Sequence, residues 1–129
     1  MGKKILTLNL GTTSTRVAVF EDEKMLSEKK LYHPEEEVKA FTQKEHVERR
    51  YQMVCDWLKK AGLGMGEIDA IGMRIANLPK SILGGTIQIT GELRKDLDKK
   101  YAPDKPLTHG TDITLALADA VCGSRAVPY

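Results

Sequence analysis

Two short apolar runs open the chain, Ile5-Leu6-Thr7-Leu8 and Val17-Ala18-Val19-Phe20, β-branched or aliphatic and free of Gly and Pro. Each predicts a strand, over residues 3–9 and 15–21, with a tight turn between them. Glu21-Asp22-Glu23-Lys24 predicts a polar turn, and Met25 to Tyr32 a third antiparallel strand at 25–32 with its charges on an exposed edge or face. His33-Pro34 ends that strand, and Pro34 before Glu35-Glu36-Glu37 suits the first turn of a short helix. From Lys44 to Ala61 the period changes. Val47, Tyr51, Val54, Cys55, Leu58 and Ala61 recur at helical steps, with Trp57 flanking the stripe as a packing residue. Glu48, Arg49, Gln52, Asp56, Lys59 and Lys60 take the other side, and Gly62 and Gly64 stop the helix.

Residues 68–74 then read as a buried strand, reached by a crossover and parallel to the first, at 69–73. Leu78-Pro79-Lys80-Ser81 is a loop, and Gly84-Gly85 precedes a small strand at 86–90. Thr90 can cap a helix over 91–101, and Ala102-Pro103-Asp104-Lys105-Pro106 breaks it. A second, buried helix is expected over 112–122, ended by Gly123, and a further strand starts at Ala126. The order predicts an α/β domain spanning 1–129, a mixed sheet of three antiparallel strands then parallel strands with helices on both faces. Because the last strand breaks off at once, the domain is expected to be truncated relative to its natural architecture.

Composition narrows the class. A chain of 129 residues is long enough for one core. The net charge of +2 is too small, and its lysines too interleaved with carboxylates, to indicate nucleic acid. No apolar run approaches a membrane span and no signal peptide opens the chain. Cys55 and Cys122 lie far apart in helical segments, which favours reduced structural thiols and a cytoplasmic address. His33 and His46 are expected at the surface, and no metal-ligand spacing is visible.

The candidate chemistry sits in the first turn, Asn9-Leu10-Gly11-Thr12-Thr13-Ser14-Thr15-Arg16. Gly11 permits a turn that a Cβ would resist. Backbone N–H groups in a turn form a concavity for anions, to which hydroxyls and a guanidinium add donors. The string therefore reads as a phosphate-binding hairpin, or else as a polar loop of ordinary turn residues. It is not a Gly-x-x-x-x-Gly-Lys-Ser/Thr loop, and it leads into a strand rather than a helix.

These residues, with the helix containing Arg50, Ile68-Asp69-Ala70-Ile71-Gly72 and Gly84-Gly85-Thr86, resemble the opening of butyrate kinases and, more distantly, acetate kinases. The resemblance covers nearly the whole chain but only the N-terminal part of such an enzyme. It implies a ribonuclease H-like β-β-β-α-β-α-β-α core, shared with sugar kinases, actin and heat-shock chaperones. It also implies transfer of phosphoryl from ATP, with Mg, to a short-chain carboxylate, giving an acyl phosphate. By resemblance Asn9, Gly11, Thr12, Thr13, Ser14 and Arg16 hold phosphate, Arg16 standing where the family usually has Lys. Arg74 neutralises the transition state and His109 donates to it. The loop after Met73 has Ile75 and Ala76 where the family has glycines, and Asp112 replaces an Asn, putting a carboxylate near an anionic site. These substitutions, the missing adenosine lobe and the missing catalytic carboxylate leave an alternative, a non-catalytic half-kinase serving as a binding or oligomerisation module. A structural domain that binds no phosphate is a third reading. Expected partners are phosphate or nucleotide, the carboxylate, and a second copy as a homodimer or a separate second lobe; nucleic acid and membrane are not expected.

Overall fold

The period-two runs form the expected meander. The computed structural model describes residues 2–75, 88–89, 91, 94–95 and 101–122. Strands β1 (Lys4–Leu10), β2 (Ser14–Glu21) and β3 (Lys24–Tyr32) pair antiparallel, and β4 (Ala70–Met73) runs parallel to β1, giving the order β3-β2-β1-β4. Helices α1 (Glu35–Ala40) and α2 (Gln43–Lys60) lie between β3 and β4, and α3 (Thr111–Cys122) follows. Asp22, at φ 54°, makes the β2–β3 turn, a left-handed position that a short polar side chain tolerates. Gly62, at φ 76°, takes the left-handed position just after α2.

Strand alternation sends Leu6, Leu8 and Leu10 to one face, opposite Val19, Val17 and Thr15 of β2. That face joins Val47, Val54, Trp57 and Leu58 of α2 and Ile113, Leu117 and Ala118 of α3 in a single core. Helices on both faces were expected; the two long described helices share one face. The other face carries Ile5, Thr7 and Asn9 beside Phe20, Ala18 and Arg16. Cys122 is buried and Cys55 half-buried. Among the described residues no helix is long and apolar enough to cross a membrane. The expected loop at 78–81, strand at 86–90, helix over 91–101 and strand from Ala126 fall largely outside the described residues.

The buried stripe of α2 differs from the apolar one. It runs through Gln43, His46, Val47, Arg50, Val54, Trp57 and Leu58, while Ala61 is exposed and Tyr51 and Cys55 are half-buried. Polar members are admitted because each meets polar partners. Gln43 donates to Pro106 O (3.2 Å) and accepts from Ala102 N–H (2.9 Å), tying the breaker segment to the start of α2. His46 Nε2 lies 3.2 Å from Val38 O. Nor is His33 at the surface: only 5% exposed, its Nε2 lies 2.9 Å from Thr15 Oγ1. The helix also starts a residue early, at Gln43, because Thr42 and Glu45 form a reciprocal capping box.

Candidate functional site

The register of the sheet lines up the polar residues at one end of its open face. Arg16 pairs with Asn9 on one side and Lys30 on the other. Directly opposite residues point the same way and lie about 5 Å apart. Arg74 extends the β1–β4 ladder by one residue, its N–H reaching Leu8 O at 3.3 Å, and so stands level with Asn9. The row Lys30, Arg16, Asn9, Arg74 is exposed along its length. Beside it a groove of about 280 Å³ opens between Thr7, Leu8, Asn9, Gly72, Met73 and Arg74, at the carboxyl ends of the parallel pair. Ligands of open α/β sheets bind outside such strand ends. Of the two residues that replace the family's glycines, Ile75 is half-buried and Ala76 lies outside the described residues.

The loop joining β1 to β2 is organised from beneath. Arg50, wholly buried, donates through one terminal nitrogen to Gly11 O (2.8 Å), Ser14 O (3.2 Å) and Thr15 Oγ1 (3.0 Å), and through the other to Thr12 O (2.8 Å). Thr13 O accepts from His33 N–H at 2.8 Å, and Ser14 O also accepts from Gly11 N–H at 2.8 Å. Burial lowers the Arg50 guanidinium to about 10, so it remains a cation at neutral pH. Burial, then the charges of Arg50, His46 and Arg49, pull His33 down to about 4, so its ring is neutral there. The side chains of Thr12 and Thr13 stay exposed above this bed.

His109 is brought to the same loop by its neighbour. A Cβ built on Gly110 would lie 2.3 Å from Leu10 O and 3.2 Å from Gly11 C, so the turn before α3 rests on the loop backbone with room only for glycine. His109 Nδ1 accepts from Thr111 N–H at 3.1 Å. The tautomer that accepts there carries its proton on Nε2, which leaves an exposed donor. Asp112 Oδ2 is engaged locally, accepting from the Thr108 hydroxyl (2.5 Å) and His109 N–H (3.2 Å), so the carboxylate serves the turn. Gly110→Ala is expected to cost about 1–3 kcal/mol, since backbone atoms cannot give way as a flexible side chain does. Urea denaturation measures it.

The expected phosphate residues Asn9, Gly11, Thr12, Thr13, Ser14 and Arg16 therefore lie on one continuous stretch, with Arg74 level with Asn9 and His109 beside the loop. The sequence reading missed Lys30, Arg50 and His33. Among the described residues no cluster of three or more His, Cys, Asp or Glu is placed to hold a metal ion.

No protein-family model matches the chain. Among curated proteins, it is 33% identical over 117 residues to "Probable butyrate kinase 2" of Caldanaerobacter subterraneus subsp. tengcongensis, covering 90% of this chain and 33% of the relative. It is 34% identical over 118 residues to "Butyrate kinase 2" of Clostridium acetobutylicum, covering 91% and 33%. "Probable butyrate kinase" of Thermotoga petrophila is 39% identical over 84 residues, covering 64% and 23%. The chain thus spans about a third of the length of the first two of these relatives, over their N-terminal part.

Proposed function

Because the chain belongs with the N-terminal part of the butyrate kinase family, we propose that it is a carboxylate kinase-like domain carrying part of a phosphoryl-transfer site. The complete reaction would attack the γ-phosphorus of ATP with a short-chain carboxylate oxygen, breaking the bond to ADP and giving an acyl phosphate. The observation that carries this reading is the convergence of the residue 9–16 loop, Arg74 and His109 at one end of the sheet. Phosphoryl transfer asks little covalent help of a protein; it needs donors and cations where charge spreads over the transferring oxygens. In this reading Asn9, the loop at Gly11, Thr12, Thr13 and Ser14, and Arg16 hold phosphate, Arg74 neutralises the developing charge, and His109 donates through Nε2. Mg would arrive with the nucleotide. The β-β-β-α-β order and the arrangement β3-β2-β1-β4 support a ribonuclease H-like fold. The relationship does not favour the alternative of a non-catalytic module.

Two expectations test this. The 129-residue chain alone shows no butyrate or acetate kinase turnover in a coupled assay, because it spans a third of the related enzymes. It nevertheless binds inorganic phosphate weakly, and the affinity falls with salt and with Arg16→Ala, as a charge-assisted bond to an exposed anion requires. Calorimetric titration reads both effects. A loop silent to phosphate, sulfate and ATP alike would overturn the phosphate reading.

A further inference from the structure

The contacts of Arg50 have a geometric consequence on the far side of the loop. Among the described residues no peptide bond is cis, and in a trans peptide unit the C=O and the following N–H point in opposite directions. Gly11 O and Thr12 O both face the buried guanidinium at 2.8 Å. The N–H groups of Thr12 and Thr13 in the same peptide units therefore face away from it, on the side where both residues are exposed. Thr13 O is drawn to His33 N–H, so the Ser14 N–H points away from His33. The acceptors of Arg50 are all neutral oxygens, and among the described residues it has no ion-pair partner. Its charge thus lies one peptide layer beneath a surface of outward N–H groups.

We propose that Arg50 is a positioning residue for the phosphate loop. It holds the carbonyl oxygens inward so that the Thr12 and Thr13 amides face the anion, and its charge is complemented by that anion across the loop. The proposal rests on the phosphate reading above and adds a residue that never touches the ligand. Arginine suits the task because its planar fork reaches acceptors on three peptide units at once; a lysine ammonium is a compact point charge on a flexible stem. The buried Thr15 hydroxyl, also bonded to Arg50, keeps the fork in register from the strand side.

The test is a ¹H–¹⁵N NMR titration of the full 129-residue chain with inorganic phosphate. In the parent, the Thr12 and Thr13 amide resonances shift saturably. Arg50→Lys keeps the charge but loses the two-armed grip. It is expected to bind phosphate about tenfold more weakly or worse, with those amide shifts lost and the resonances of β3 unchanged. A folded Arg50→Lys chain that binds phosphate as the parent does overturns the proposal and leaves the phosphate reading standing. Should Arg50→Lys not fold, Thr15→Val decides: it removes a buried acceptor of Arg50 without altering the exposed surface. A loss of about threefold or more supports the positioning role, and unchanged affinity overturns it. A parent chain with no phosphate response at these amides overturns the phosphate reading itself.

Discussion

Arg50→Met is expected to lower stability by about 3–5 kcal/mol, as removal of a buried, hydrogen-bonded charged group does. Methionine matches the length of the arginine stem, so cavity formation is a minor part of the effect. The larger part is what remains: Gly11 O and Thr12 O lose their donor at part-buried positions, and an acceptor orphaned away from water costs about 1–3 kcal/mol. Ser14 O retains Gly11 N–H, and Thr15 Oγ1 retains His33, so these acceptors suffer less. Partly offsetting the loss, no guanidinium need then be taken out of water. The contacts join α2 to a loop some 35–39 residues earlier in the chain, so the variant also loosens the seat of the hairpin. Urea denaturation with unchanged m-value should show the shift in midpoint. A loss under about 1 kcal/mol would mean that the loop does not close on this side chain.

What was legible in the sequence, and what was not, divides along one line. Strands β1, β2 and β4 were readable because short apolar runs mark strands with a buried face, and β3 because a polar turn and His33-Pro34 bracket it. The site loop was readable because Gly11 and the hydroxyls around it are a local signature. Arg50, Gln43, His46 and His33 were not, because an apolar stripe counts hydrophobic side chains only. A polar side chain becomes a core residue when distant backbone carbonyls or hydroxyls wait for it, and no local pattern announces those acceptors. Two signals went unused. Thr42-x-x-Glu45 is a capping-box pattern and marks the start of α2. Gly110, between His109 and Thr111, marks a close backbone approach, and that approach delivers His109 to the loop. Lys30 joined the row through pairing register alone; its own strand shows it merely as one charge among several.

Acidification from pH 7 to pH 5 is expected to destabilise the fold, by about 2 kcal/mol through His33 alone. His33 binds its proton near 4 in the folded chain, against an ordinary value of 6.5. The sign follows: as pH falls through 6.5 the unfolded chain takes up a proton that the folded chain refuses. Stability is therefore full above pH 6.5, erodes through 5, and the histidine's loss is complete below about 4. The cause is burial first, since the imidazolium would be stripped of water, and then repulsion from Arg50, His46 and Arg49. His46 is lowered too, again chiefly by burial, and pushes in the same direction. Carboxylates act elsewhere on the scale. Glu67, held below its ordinary value of 4.5 by the Gly64 N–H and then Lys4, loses its contribution only at lower pH. The interval from 7 to 5 thus isolates the buried histidines. Urea midpoints for the parent and for His33→Gln, at intervals across it, separate their shares: the parent should lose stability steeply and the variant much less. Parallel curves for the two chains would show that His33 titrates as it does in the unfolded state, which a ring sealed between Thr15 and the charge of Arg50 cannot do.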